Sequence, residues 1–243
     1  MHNIGRIRVL SIWIFIVPVV SINLCLLISV NYEFLENTIF KVDLIGQSGY
    51  TIPYFDGSLS ISRASRTYPS YLIFKPGMII TSILLIKYWL ANNKLILSIN
   101  EETYRYKYFL IFGVGSAIFL IIHALLLGIS FENDLYKFSR RFILLGFIIF
   151  EIVAQTLLVI NIIKIKKKLE PLINTRILTL KIILVSILIF VAVLAAPILN
   201  SSEYTHFKHA LEWNYFLGVV SFYLLTFLFW KSGEPSVHTP EGA

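Results

Sequence analysis

The chain has 243 residues, of which 57% are hydrophobic and only 14% charged, with a formal net charge of +7 and a mean hydropathy of +0.76. A soluble domain carries about 25% charged residues, so these values exclude a water-soluble globular protein. The single cysteine, Cys25, excludes an intrachain disulfide and the usual cysteine-ligated zinc sites.

Six apolar stretches follow one another along the chain, each near the roughly 20 residues a helix needs to cross the hydrocarbon layer. The first, Val9–Val30, contains no charged residue. It has a basic start at Arg6 and Arg8, but it is longer than a signal-peptide core and no small-x-small cleavage site follows it, so it reads as a retained helix. The others lie at about Leu72–Leu90, Tyr108–Ser130, Phe142–Ile163, Ile182–Leu199 and Leu211–Trp230. The expected fold is therefore an all-α polytopic membrane bundle of about six transmembrane helices. Residues 1–232 form one domain, and 233–243 read as a disordered cytoplasmic tail.

Lys and Arg sort mostly to the side that carries the N-terminus, which predicts both termini in the cytoplasm. Arg105 and Lys181 are counted there with the other basic residues that flank the spans. The strongest element is Lys164, Lys166, Lys167 and Lys168, which reads as an anchor to anionic lipid head groups. Basic residues that flank spans give no support to nucleic-acid binding. The only long connection, about 31–71, falls on the opposite, lumenal or extracellular side. It alternates aromatic, hydroxyl and basic residues, with a turn at Asp56-Gly57 between Pro53 and Pro69. A loop of that length in so small a protein is functional or disordered, and this composition suits packing over the mouth of a helix bundle. Pro18 and Pro197 are expected to kink their spans.

Ionisable side chains at membrane depth are functional candidates by default. Glu151 sits in the middle of the fourth span with Gln155 one turn on, on the same helix face. The pair reads either as a proton acceptor or head-group contact, or as a hydrogen bond joining two helices. His123 in the third span shares a face with Ser116, but about 10 Å separates them along the axis, too far for a nucleophile–base contact. His206, His209 and Glu212 recur every third residue where the last span begins. They suit a weak zinc site, a polar lumenal site or plain interfacial anchoring. Arg63 and Arg66, set among serines, suit a phosphate or ordinary solvation. There is no P-loop, Gly-x-Ser-x-Gly elbow, dinucleotide fingerprint or His-Glu-x-x-His, and no cofactor is expected.

Three features together carry a resemblance. They are the loop PYFDGSLSISRASRTYPSYLIF, the span pair running from FGVGSAIF through ISFENDLYKFSRRFILL to KIKKK, and the closing HALEWNYFLGVVSFYLLTFLFW. This layout resembles the FGF-receptor-activating-protein / damage-regulated autophagy modulator family of six-span proteins, closest to its post-GPI-attachment branch, over roughly residues 1–232. The resemblance implies a Golgi or endoplasmic reticulum protein in the lipid remodelling of GPI anchors, with membrane lipid and GPI-anchored proteins as partners. Pro53, Ser58, Ser60, Glu132 and Glu212 match the family pattern. Ile118 stands where GPI-branch relatives carry an acidic residue, Phe138 stands where they carry a histidine, and the loop cysteines are absent. The resemblance does not distinguish catalysis of acyl transfer from assistance to another acyltransferase. A non-enzymatic membrane organiser and a small transporter with Glu151 as proton carrier are the other readings. The residues singled out for substrate binding are Arg63, Arg66, Ser58, Ser60 and Gln155, and the candidates for catalysis are Glu151, His123, His209 and Glu212.

Overall fold

The computed structural model describes residues 2–99, 107–129, 134–200 and 203–231. Six helices are long and apolar enough to cross a membrane, so the protein is an all-α, multi-pass integral membrane protein. They are α1 (His2–Val30), α4 (Tyr71–Ile99), α5 (Tyr108–Leu126), α6 (Asp134–Lys164), α8 (Thr175–Asn200) and α9 (Thr205–Phe229). All but α5 extend past the apolar core into flanking polar residues, since a helix that satisfies its own backbone can run on into the interfacial layer; α5 instead ends at Leu126, short of the expected Ser130. Short helices α2 (Pro53–Asp56) and α3 (Ile61–Arg66) lie in the long connection, and α7 (Lys166–Leu169) follows α6. Arg105, Glu132 and the tail 233–243 lie outside the described residues.

Consecutive spans pack side by side in the order α1, α4, α5, α6, α8, α9, and α9 returns to α1, which closes a ring. Arg8 of α1 shows the closure: its Nε donates to the Phe227 carbonyl at 3.3 Å and its guanidinium lies 4.8 Å over the Phe227 ring. The start of α1 and the end of α9 are thus on the same side. α1 remains one helix through Pro18.

Lipid tails are as apolar as leucine, so burial does not drive spans together, and close van der Waals packing has to. Gly113 of α5 supplies such a contact: a Cβ there would lie 2.3 Å from the Trp89 ring. Trp89 is fully buried and also packs edge-on to Tyr88, with ring centroids 5.1 Å apart. Gly113→Ala must displace that indole, so thermal unfolding in detergent should show a loss of about 1–3 kcal/mol. Gly5→Ala, where nothing lies within 4 Å, should be neutral or slightly stabilising. Equal behaviour of the two variants would show that Trp89 has room to move.

Two elements differ from the sequence reading. The long connection is folded and is not an irregular strand of loop. Lys181, counted among basic residues on the membrane surface, is completely buried in α8. Its Nζ donates to Thr226 Oγ1 at 2.7 Å and lies 4.0 Å from the Phe222 ring centre. The cause is the early start of α8: Asn174 Oδ1 accepts from the Arg176 N–H at 3.0 Å. That cap sets Lys181 nearly two turns inside the helix, about 9 Å along its axis.

Candidate functional site

A cavity of ≈ 150 Å³ lies inside the ring, between α1, α4, α5, α6 and α9. Its walls are overwhelmingly apolar, Met78 and Leu120 among them, and its histidine and carboxylic-acid lining residues are His123, Glu151 and Glu212. These three sequence candidates come from three helices and meet at one space. His123 lies near the end of α5 that faces the long connection, whereas Ser116, bonded to Glu151, lies seven residues deeper, about 10 Å. The cavity thus runs from a roof near His123 and Glu212 to a floor at Glu151. Leu144, Phe147, Tyr215 and Phe216, which line it from α6 and α9, are only partly buried, so it is not sealed on that flank.

The floor is a closed polar cluster. Ser116 Oγ donates to Glu151 Oε2 at 2.6 Å, Gln155 Nε2 donates to Oε1 at 3.0 Å, and the Tyr223 hydroxyl donates to Oε1. Gln155 Nε2 also reaches the Val219 carbonyl at 3.2 Å, joining α6 to α9. Three donors from three helices therefore converge on one carboxyl group. His123 is apart from this set, so Ser116, His123 and Glu151 do not form a triad. His123 is buried at 7% exposure and its Nδ1 has no hydrogen-bond partner.

The roof is α3, and the first turns of α9 hold it by the backbone. His209 Nδ1 lies 2.9 Å from the Gly57 carbonyl. Trp213 Nε1 donates to the Leu59 carbonyl at 2.8 Å, and Asn214 Nδ2 donates to that of Tyr54 at 2.7 Å. The Glu212 carboxyl lies beside Ile61 and Ser62, the first two residues of α3, and all three line the cavity. The Tyr54 ring also packs tilted against Trp213, with centroids 4.9 Å apart, and its hydroxyl donates to Asn23 of α1 at 3.2 Å. Burial raises the pKa of that phenol, opposed by the Asn23 bond. At its other end, α3 rests on the turn after α5, where a Cβ on Gly128 (φ +84) would meet the Arg66 carbonyl at 2.9 Å. α3 is thus a lid laid from α9 to α5, and its Ile61 and Ser62 face the cavity.

This arrangement accounts for several residues singled out from sequence. The His206–His209–Glu212 series does share a helix face, but His209 binds the segment leading into the lid, Glu212 lines the cavity beside it and His206 is exposed. Among the described residues no three His, Cys, Asp or Glu side chains converge as a metal site. Ser60 caps α3, accepting from the Arg63 N–H at 3.1 Å. Ser58 belongs to the turn before it: its N–H donates to Asp56 Oδ1 at 2.9 Å, and its hydroxyl bonds Thr51. The Ser58 N–H, the Thr51 hydroxyl and the Ile52 N–H together hold the Asp56 carboxyl well below the usual carboxylate range. Arg63 is exposed and pins the lid to the preceding loop, its Nε 2.8 Å from the Ile45 carbonyl. Arg66 is half-buried, and burial, then the charges of Arg140 and Arg63, lower its pKa. Ile118 and Phe138 are 48% and 67% exposed on the outer faces of α5 and α6, away from the cavity.

No protein-family model, curated protein or solved structure matches this chain.

Proposed function

We propose that this protein handles a membrane lipid, taking an apolar chain into the bundle cavity with the lipid head group on the lid side. The observation that carries this reading is the cavity itself: apolar walls at membrane depth, a flank not sealed toward lipid, and His123 and Glu212 at the lidded end. A cavity of this size takes an apolar guest about as large as benzene, which matches a short segment of a chain whose remainder stays in the bilayer. Following the resemblance noted above, we assign the lipid to the maturation of GPI-anchored proteins, in a Golgi or endoplasmic reticulum membrane with the lid side lumenal.

A binding role without chemistry is the second reading, favoured by one observation. The serine bonded to the cavity-lining Glu151 carboxyl is Ser116, and its hydroxyl is spent on the floor cluster, about 10 Å along α5 from His123.

The test is mass spectrometry of the lipid on GPI-anchored proteins from cells lacking this gene. Rescue would compare wild type, Leu120→Trp and Leu125→Trp. Leu120 lines the cavity at 5% exposure, whereas Leu125 is 52% exposed on the outside. Lyso-anchors or altered acyl chains are expected without the gene, corrected by wild type and Leu125→Trp but not by Leu120→Trp. An unchanged anchor profile would remove the GPI assignment. Correction by Leu120→Trp would remove the cavity from the mechanism.

A further inference from the structure

Two arginines stand just beyond the cavity's roof. Arg140 of α6 is four residues, one helical turn, before the cavity-lining Leu144. Arg66 of α3 is four residues after the cavity-lining Ser62. Residues four apart on a helix share a face about 6 Å apart along the axis. Both guanidiniums therefore continue cavity-lining faces outward, from the lid and from α6. They are close enough to feel one another's charge, and the charge of Arg140 reaches His123 at the roof as well. Both are half-buried, and among the described residues neither makes a hydrogen bond or ion pair through its side chain. His123, more than nine-tenths buried and lining the cavity, has an unpartnered Nδ1 beside them.

Like charges brought together with no ion-pair partner among the described residues are unfavourable unless an anion sits between them. Guanidiniums are suited to phosphate because their planar fork donates two parallel hydrogen bonds. One turn above an apolar cavity is also where the phosphate of a lipid would lie if its acyl chain filled the space below. We propose that Arg66 and Arg140 bind the phosphate of a phospholipid whose acyl chain occupies the cavity. This inference rests on the lipid reading and narrows it: the substrate class is a phospholipid, and a neutral diacylglycerol or ceramide lacks the group that the two arginines select. Arg66 belongs to the lid, so phosphate binding also ties lid closure to the head group.

The experiment is native mass spectrometry of the full-length protein in detergent, titrated with phosphatidylglycerol, with diacylglycerol of the same chains, and with inorganic phosphate. The variants are Arg66→Gln, Arg140→Gln and, as a control for surface charge, the exposed neighbour Arg141→Gln. Losing one charge-assisted phosphate contact should weaken phosphatidylglycerol about tenfold. Arg66→Gln and Arg140→Gln are each expected to do so, with Arg141→Gln and diacylglycerol binding unchanged. Arg140 lies outside the lid, so its variant stands as the test if Arg66→Gln does not fold. Diacylglycerol bound as tightly as phosphatidylglycerol, or an equal loss in all three variants, overturns the phosphate site and leaves lipid binding intact. Arginine-dependent binding of inorganic phosphate, with phosphatidylglycerol no tighter, overturns the lipid as its source. Wild-type protein that takes up none of the lipids overturns the lipid reading along with it.

Discussion

Gly57→Ala is expected to lift the lid off the bundle. Gly57 adopts φ +60 between α2 and the residues leading into α3, and a Cβ there would sit 1.7 Å from the carbonyl oxygen of His206. The left-handed conformation alone costs an L-residue about 1–2 kcal/mol. The clash adds more, because its partner is backbone in the first turn of α9 and cannot rotate away. Relief requires the Gly57 carbonyl to leave His209, and the neighbouring grip of Trp213 on Leu59 is strained with it. We expect a destabilisation of about 3 kcal/mol or more, read as a lower midpoint of thermal unfolding in detergent. New protease cleavage within 51–66 should accompany it. Gly49→Ala, where no atom lies within 4 Å, should leave both unchanged. A protected loop in Gly57→Ala would mean that the lid does not depend on this clamp.

The lid also marks where sequence reasoning ran out. The spans were legible because each is a long apolar run, and the short ends came from stopping at the first polar residue, which a membrane helix does not do. Packing of the connection over the bundle mouth was legible from its alternation of aromatic and hydroxyl residues. Its fold was not, because α2 and α3 are held by backbone groups that pair with side chains about 150 residues away, such as Gly57 with His209. The periodicity of His206, His209 and Glu212 correctly put them on one face, but spacing shows a face and not its partner. The partner turned out to be main chain. Lys181 was misplaced because a basic residue close to a KIKKK run looks interfacial. The corrective signal was present in Asn174-Thr175, a helix-start pair that places Lys181 well inside α8. The approach of Arg66 to Arg140 had no signal in a single sequence, since nothing in either segment names the other.

These pieces act together. The floor at Glu151 joins α5, α6 and α9, the lid joins α9 to α5, and the cavity between them keeps its apolar walls only if both hold. A lipid entering past the half-buried side chains of α6 and α9 would leave the ring closed at α1 and α4, where Gly77 lies directly against Ser21. The two ends of the site are chemically distinct: a carboxyl group with three donors at the floor, and an unpartnered imidazole below two arginines at the roof. On the proposed lipid reading, head-group recognition falls to the roof and the floor is architecture.

Substitutions at Glu151 separate that architectural role from proton transport. Glu151→Gln keeps the shape and can keep every hydrogen bond. Its carbonyl oxygen can accept from Tyr223 and Gln155, while its amide can donate to Ser116 Oγ, whose own proton is satisfied by the Gly113 carbonyl at 2.8 Å. Glu151→Leu removes the acceptor. Ser116 then retains Gly113 and Gln155 retains Val219, but the Tyr223 hydroxyl, 1% exposed, is left without a partner. An unsatisfied buried hydroxyl costs about 1–3 kcal/mol, and interhelical hydrogen bonds measured in membranes fall toward the lower end of such ranges. Glu151→Leu should therefore unfold at a clearly lower temperature than wild type. Tyr223→Phe added to it should recover part of the loss, since it deletes the orphaned group. Glu151→Gln should fall within about 1 kcal/mol of wild type and should rescue the GPI-anchor lipid profile. A proton carrier predicts the opposite, because an amide cannot exchange the proton however well it packs. A stable Glu151→Gln protein without activity would return Glu151 from the scaffold to the chemistry.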